Sequence, residues 1–318
     1  MARKKTTKYL NNKDMLREIH SSKLSYCSAI DDAYTHFDII VDSVDEITPE
    51  NIQVAKENRA HKLSGIGYEN GINHWFDNDG ARNTKPKQAD FRVHADSIPI
   101  EDIVFRVMTY DHIPEAPGRK KNPKTEADKH ERLNFPPFKH YAYVNGEWRE
   151  ALRSHWEGGL ENGGFRMDQG GLTPELAKMM MKLVERYAMR GNWRGYTYND
   201  EMQSAALLQL SEVGLKFNEA RSDNPFAYYT ATITNSFTRV LNVEKRQRDI
   251  RDDMLQETGQ MPSWTRQMES SAAHHAEIER QGALNDAIAL ADAAKDLEID
   301  PDADIELTEI VLEDKEEV

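Results

Sequence analysis

The chain has little of what disulfide-bonded and membrane proteins need. Its 318 residues include one cysteine, Cys27, so no disulfide can form within the chain. No apolar run reaches the length of about 18 residues that a membrane-spanning helix requires. The basic start of the chain is not followed by the apolar stretch of a signal peptide. These absences predict a soluble protein of a reducing cytoplasm that does not bind a membrane.

The usual fingerprints of enzymes are also missing. The glycines between Gly158 and Gly171 are not followed by Gly-Lys-Ser/Thr, so they predict a mobile linker instead of a phosphate-binding loop. No activated nucleophile, paired carboxylates or Cys/His metal spacing stands out. We therefore expect neither catalysis nor a cofactor nor a bound metal. A metal-dependent nuclease remains an alternative through five histidines near Asp111 and Glu115, namely His94, His112, His130, His140 and His155.

Acidic residues outnumber basic ones, and the negative charge is unevenly placed. The formal net charge is -14, which argues against general affinity for nucleic acid. Residues 291–318 carry twelve acids and two lysines, however, so the rest of the chain is only mildly acidic. From Asp252 onward, four Lys or Arg face nineteen acids, which makes a helix-turn-helix that binds duplex DNA implausible there. Any nucleic-acid site must therefore be confined to a short part of the chain.

The segment that starts at Asn224 has the pattern of such a local site. Asn224 suits a helix N-cap, and Pro225 suits the first helical position. At about 100° per residue, one side of this helix is apolar and predicts a core contact: Phe226, Tyr229, Ile233, Phe237 and Val240. A second side combines an aromatic ring, hydrogen-bonding groups and cations, which together can stack on bases, contact base edges and neutralise phosphate: Tyr228, Thr232, Asn235, Arg239 and Arg246. An ordinary solvated helix surface is the alternative.

The order of motifs in this part of the chain resembles conserved region two of bacterial sigma factors. The matching runs are Lys182–Tyr187 with Arg190-Gly191, Asp200–Gln203, Val213–Phe217, Asn224–Tyr229, Ile233–Asn235, and Thr238–Leu241 followed by Lys245-Arg246-x-Arg248. The chain is more similar still to the late-transcription sigma factors of tailed myovirus (T-even-like) phages. That family shares the Gly195-Tyr196 turn and a Tyr-x-Asn-Asn-Lys motif, here Tyr9–Lys13. The resemblance covers residues 172–251 and this short N-terminal segment.

The resemblance implies a factor that directs RNA polymerase core to phage late promoters and opens a minus-ten-like element. The implied polymerase-binding residues, which would contact the clamp helices of the bacterial core enzyme, are Asp200, Glu201 and Gln203. The implied contacts to promoter DNA are Phe226, Tyr228, Tyr229, Thr232, Asn235, Thr238, Arg239, Lys245, Arg246 and Arg248. Of the aromatic residues, we favour Tyr228 over Phe226 for stacking. The tryptophan pair of principal sigma factors is replaced by Thr232 and Ile233, which predicts weaker or more partner-dependent promoter opening.

The acidic C-terminal end contains an apolar cluster. Alone, its composition predicts a disordered, solvated tail. The late phage sigma family is recruited by a DNA sliding clamp through an apolar and acidic C-terminal peptide. The residues that resemble such an anchor are Leu307, Ile310, Val311 and Leu312.

Two further stretches, 176–187 and 202–217, repeat apolar residues at three and four, so with the Asn224 segment they give three apolar stripes that can close one core. Thr173 is the expected cap of the first of these helices, Asn199 or Asp200 that of the second, and Thr48 that of a helix starting at Pro49.

We therefore predict a mainly α fold: a three-helix sigma region-two-like domain, an inserted α+β module and a disordered acidic tail. The predicted divisions are a basic arm with a short helix (1–24), the inserted module (25–171), the helical domain (172–251), a helical extension (252–300) and the tail (301–318). Within the module we expect helices over 29–47 and 49–64, strands at 91–94 and 103–108, an exposed loop at 114–129, and a hairpin turning at Asn145-Gly146. A phage structural or scaffolding-type protein without DNA activity is the main alternative.

Overall fold

The computed structural model describes residues 11–77, 85–118 and 122–296, with side chains up to residue 290. The protein is mainly helical, with a small sheet. Its helices are α1 (Asn12–Leu24), α2 (Pro49–Asp77), α3 (Pro174–Ala188), α4 (Asn199–Val213), α5 (Pro225–Glu257) and α6 (Trp264–Asp296). Its strands are β1 (Cys27–Ala29), β2 (Ile39–Val41), β3 (Val104–Met108), β4 (Phe138–Val144), β5 (Glu147–Ser154), β6 (Trp156–Glu157) and β7 (Gly164–Phe165).

Five strands form one sheet in the order β1-β5-β4-β3-β2, in which only the β2–β3 pair is parallel. The β4–β5 hairpin turns at Asn145 and Gly146, whose φ angles are 55° and 88°. Such a turn favours Asn-Gly because both positions need a positive φ. The predicted hairpin and the predicted strand at 103–108 are confirmed.

The helices α3, α4 and α5 share one core with α1 and the sheet. The three apolar stripes predicted for the helices meet there, around Leu176, Met180, Met202, Ala206 and Ile233. The same cluster includes Met15 and Ile19 of α1 and Phe138 and Leu152 of the sheet, all completely or almost completely buried. The predicted boundary at residue 171 therefore does not separate two cores.

The chain instead divides into two compact units between Leu241 and Asn242, so the division falls within α5. In the second unit, the Asp252 carboxylate accepts hydrogen bonds from the Ser263 backbone N–H (2.9 Å) and hydroxyl (2.6 Å), where α6 begins. The predicted helical extension thus consists of the end of α5 and all of α6. The predicted tail, 301–318, lies outside the described residues.

The helix predicted over 29–47 is wrong. This stretch holds the last residue of β1, all of β2 and two short 3-10 turns. The carboxylate of Asp31 accepts the backbone N–H of Ala33 (2.9 Å), and the hydroxyl of Ser43 accepts that of Asp45 (3.2 Å). Such side chains compete with helical hydrogen bonds, and the two strands pair with β5 and β3.

The helix predicted at 49–64 is present but continues to Asp77. Thr48 caps it through the Asn51 N–H (3.3 Å). The strand predicted at 91–94 is absent, and a 3-10 turn, Gln88–Phe91, lies there. Phe91 packs so closely on α2 that a Cβ at Gly71 would lie 2.3 Å from its ring. This contact, which joins residues far apart in sequence, replaces the strand.

The predicted mobile linker at 156–171 is held by contacts. Strands β6 and β7 pair with each other, and the Gln169 amide donates to the carbonyls of Tyr26 (3.0 Å) and Trp156 (2.6 Å). A side chain at Gly163 would collide with the Glu157 carbonyl. The glycines here permit close backbone packing. Among the described residues, no helix is long and apolar enough to cross a bilayer.

Candidate nucleic-acid interface

The start of α5 is fixed by two asparagines. The side-chain oxygen of Asn224 accepts the Ala227 N–H at 3.1 Å, which confirms the predicted cap. The side-chain oxygen of Asn12, on α1, accepts the Phe226 N–H at 3.3 Å. Its neighbour Asn11 caps α1 itself through the Asp14 N–H (2.7 Å). The Asn-Asn pair near the N-terminus therefore caps two different helices.

One side of α5 is buried as the periodicity predicts. Tyr229, Ile233 and Phe237 are inaccessible to solvent. The Tyr229 hydroxyl donates to the Gly214 carbonyl (3.0 Å), and burial raises the pKa of this hydroxyl. The assignment of Tyr229 to DNA contacts is therefore wrong for this conformation, because its ring has no free face for a base.

A polar face, defined here as Tyr228, Thr232, Asn235 and Arg239, runs along the front half of α5. The residues lie within about 60° of one another around the helix axis. Asn235 and Arg239 are exposed, and Tyr228 and Thr232 are half-buried. The structure thus brings together four of the ten residues predicted to contact DNA.

Tyr228 is the aromatic member of the polar face and is held firmly. Its hydroxyl donates to the Val213 carbonyl at 2.9 Å, and its ring packs on Phe217, with ring centroids 5.7 Å apart. The Thr232 hydroxyl donates to the Tyr228 carbonyl at 3.0 Å. The polar face therefore presents the exposed part of a fixed ring beside an amide and a guanidinium.

Phe226 and Thr238 lie away from the polar face. Phe226 is 36% exposed, although the periodicity predicts it in the core. It lies about 200° around the helix from Tyr228. Thr238 is exposed on the surface opposite the buried side.

The remaining predicted DNA contacts lie on the part of α5 that belongs to the second unit. Lys245 and Arg246 are exposed. Arg248 is half-buried and donates to the Asp249 carboxylate at 3.4 Å. Within the described residues, Lys245 and Arg246 form no ion pair.

The predicted polymerase contacts lie at the beginning of α4. Asp200 and Glu201 are exposed in its first turn, and the Gln203 amide donates to the Asn199 side chain at 2.7 Å. The expectation that Asn199 or Asp200 caps α4 is wrong. The Asn199 amide points back to the carbonyls of Ala188 (3.3 Å) and Trp193 (2.9 Å). Leu208, further along α4, is an exposed apolar side chain that the motif match does not predict.

Two other predicted sites remain. The four residues of the predicted clamp anchor, Leu307, Ile310, Val311 and Leu312, lie outside the described residues.

The five histidines of the nuclease alternative do not form one group. His112 and His155 flank Ser154, His140 contacts Arg106, His130 lies against Tyr110, and His94 is exposed. Throughout the described ranges, no three His, Cys, Asp or Glu side chains form a group that could hold a metal ion.

The structure also contains a polar cluster that the sequence did not predict, which we call the Arg106 cluster: His20, Lys23, Arg106, His140 and Glu219. The Arg106 guanidinium lies between the rings of Phe37 and Phe138, at 3.8 and 3.9 Å from their centroids. It forms a salt bridge with Glu219 and donates to His140 Nε2 (3.0 Å). It lies 2.8 Å from His20 Nδ1. A charged residue within the apolar run 103–108 is the sequence signal that could have revealed it.

The two histidines of the Arg106 cluster must be neutral for these bonds to form. His140 Nδ1 lies 2.9 Å from the Tyr34 carbonyl, and His20 Nε2 lies 2.9 Å from the Thr35 carbonyl. Each ring therefore donates to a carbonyl with one nitrogen and accepts from Arg106 with the other. Burial and the adjacent Arg106 lower the pKa of His20 to about 3 and that of His140 well below its ordinary value.

Glu219 is the only carboxylate of the cluster. Burial opposes its ionisation, but the Arg106 and Lys23 cations outweigh burial and hold the pKa of Glu219 below its ordinary value. Lys23 Nζ lies 3.4 Å from Glu219 Oε1 and donates to the Phe217 carbonyl at 2.8 Å. The cluster thus fixes the segment that precedes α5.

Comparison of the chain with protein-family models, with curated proteins and with solved structures finds no match.

Proposed function

We propose that the protein is a sigma-type transcription initiation factor of a phage, whose α5 binds the opened strand of a late promoter. The polar face is the observation that carries this proposal. It places a fixed aromatic ring, an exposed amide and an exposed guanidinium along one line of a helix. These groups can stack on an unpaired base, contact a base edge and bind a phosphate.

The order of motifs supports the same proposal. The three helices that resemble sigma region two pack around one core, with the acidic start of α4 exposed. In this proposal Asp200, Glu201 and Gln203 bind the clamp helices of bacterial core polymerase, and the C-terminal tail binds a phage sliding clamp. Two weak attachments to the same complex would raise the local concentration of α5 at the promoter.

A structural or scaffolding-type role is favoured by a different observation. Every described side chain of α6 from Met268 to Leu290 is exposed. A helix exposed on all sides gains little stability from packing, which suits one that binds to another protein. This role requires no DNA binding by the polar face.

Transcription in vitro tests the proposal. Bacterial core polymerase is incubated with supercoiled phage late-promoter DNA, with and without the protein, and start sites are mapped. We expect specific initiation with the protein and a loss with Tyr228→Ala of about five-fold or more, because one stacking contact contributes about 1–3 kcal/mol. Tyr143→Ala removes a half-buried tyrosine of β4 instead and serves as the matched control.

The outcomes separate the two roles. Initiation that depends on Tyr228 but not on Tyr143 supports the sigma-type role. If the protein neither supports initiation nor binds core polymerase, the sigma-type role is excluded and the structural role stands.

A further inference from the structure

The segment between α4 and α5 is bound from two directions. From the sheet and α1, Arg106 and Lys23 hold Glu219, and Lys23 also holds the Phe217 carbonyl. From α5, the Tyr228 hydroxyl donates to the Val213 carbonyl, and the Tyr228 ring packs on Phe217. The position of Tyr228 is therefore linked to that of Arg106 through residues 213–219.

The linkage uses an arginine where packing alone would favour an apolar residue. Replacing a buried ion pair by apolar side chains of similar volume is often neutral or stabilising. A guanidinium differs from an apolar side chain in fixing direction, because its planar donors must meet partners in a defined geometry. Here those partners come from α1 (His20), from β4 (His140) and from the segment before α5 (Glu219).

We propose that Arg106 is a positioning residue for strand binding: through Glu219 it fixes the segment on which Tyr228 rests. The proposal depends on the proposed function of the polar face. It assigns a role to the α+β part of the chain, which sets the placement of the strand-binding ring. The partner recognised by that ring is an unpaired nucleotide base.

A double-mutant cycle tests this role. Binding of forked late-promoter DNA by the complex of core polymerase with the full-length protein is measured, with 2-aminopurine in the unpaired strand reporting stacking. We expect Arg106→Met to weaken binding by about ten-fold, similar to Tyr228→Ala, since both remove one stacking contact. The double variant Arg106→Met/Tyr228→Ala should bind no more weakly than Tyr228→Ala. If the two residues acted independently, the fold-losses of the two single variants would multiply in the double variant.

Two further variants separate positioning from stability. Val104→Ala shortens a buried side chain of the same strand, in a different apolar cluster. Val104→Ala alone should weaken DNA binding less than two-fold. In the double variant Val104→Ala/Tyr228→Ala, the two fold-losses should multiply. The triple variant Arg106→Met/Glu219→Met/Lys23→Met removes the three charges of the Arg106 cluster. We expect it to regain much of the stability lost in Arg106→Met and still to bind forked DNA weakly, with reduced 2-aminopurine quenching.

The results distinguish failure of this inference from failure of the proposed function. Arg106 has only a structural role if a folded triple variant binds DNA and quenches 2-aminopurine like the wild type. The same conclusion follows if the fold-losses of binding caused by Arg106→Met and by Tyr228→Ala multiply in the double variant. If the wild-type complex gives no binding, or if Tyr228→Ala has no effect, the proposed function fails and the positioning role fails with it.

Discussion

At the scale of single residues, burial decides between the two adjacent tyrosines of α5. Tyr228 and Tyr229 are neighbours in sequence, and both matched the sigma pattern. In the structure Tyr229 is fully buried, whereas Tyr228 keeps part of its ring exposed. One helical step of about 100° separates a core residue from a candidate base-stacking residue.

This difference predicts the effect of removing the Tyr229 hydroxyl. Tyr229→Phe leaves the Gly214 carbonyl without its donor, so we expect a loss of about 1–3 kcal/mol in the free energy of unfolding. Binding of forked DNA at a temperature well below unfolding should stay unchanged. Urea unfolding and 2-aminopurine fluorescence measure the two quantities. Reduced stacking in a fully folded Tyr229→Phe protein would contradict the buried placement.

Four histidines, two of them buried (His140 and His155) and two half-buried (His20 and His112), predict acid sensitivity. The pKa of His20 and His155 is lowered to about 3, that of His112 to about 4, and that of His140 well below its ordinary value; burial is the main cause in each. The unfolded chain takes up these protons near pH 6.5, whereas the folded protein does not. The free energy of unfolding should therefore fall as the pH drops from 6.5 towards 4, by up to about 1.4 kcal/mol per histidine and pH unit.

Urea unfolding at pH 7.5, 6.5 and 5.5 measures this dependence. Unfolding at pH 5.5 should take up several protons per molecule. Equal stability at pH 7.5 and 5.5 would contradict neutral, buried histidines.

At the scale of elements, two glycines in helices have opposite roles. A Cβ at Gly71 in α2 would lie 2.3 Å from the Phe91 ring, whereas one at Gly282 in α6 would meet nothing within 4 Å. Glycine in a helix costs about 0.5–1 kcal/mol relative to alanine. Gly282→Ala should therefore stabilise α6 slightly.

Gly71→Ala should instead lower the free energy of unfolding by about 1–3 kcal/mol, because overpacking outweighs the gain in helix propensity. Far-ultraviolet circular dichroism during thermal unfolding compares the two variants. A more stable Gly71→Ala protein would show that Phe91 is not packed against α2.

At the scale of the whole molecule, the three helices share one core with α1 and part of the sheet. Helices α3, α4 and α5 bury Leu176, Met202 and Ile233 in the same cluster as Met15 of α1 and Phe138 of the sheet. An isolated fragment of residues 172–257 would expose this surface to water. We expect that fragment to unfold without a cooperative transition, whereas the full chain unfolds cooperatively. A sharp thermal transition of the fragment would show that the helical domain is independent.

Exposure of α6 predicts uneven hydrogen exchange. The amides of residues 268–290 should exchange near the rate of isolated helices, and those of β3 and β4 should be protected up to the free energy of global unfolding. Mass spectrometry at two protein concentrations makes the comparison. Strong protection of α6 that increases with concentration would show that another copy of the chain covers it.

The sequence by itself determined the elements whose signals are local. The Asn145-Gly146 hairpin, the caps at Thr48, Thr173 and Asn224, and the apolar stripes of α3, α4 and α5 depend on neighbouring residues only, and the structure has them. The polar face follows from the same helical periodicity, so four members of the candidate site could be predicted.

Only the tertiary structure decided the rest, because the deciding contacts join residues far apart in the chain. Strand β2 exists through pairing with β3, in a stretch where the local pattern favoured a helix. The Arg106 cluster joins residues 20, 106, 140 and 219, and no local pattern connects them. The core shared across residue 171 arises because side chains of α1 and the sheet, such as Met15 and Phe138, pack in the same apolar cluster as those of the three helices.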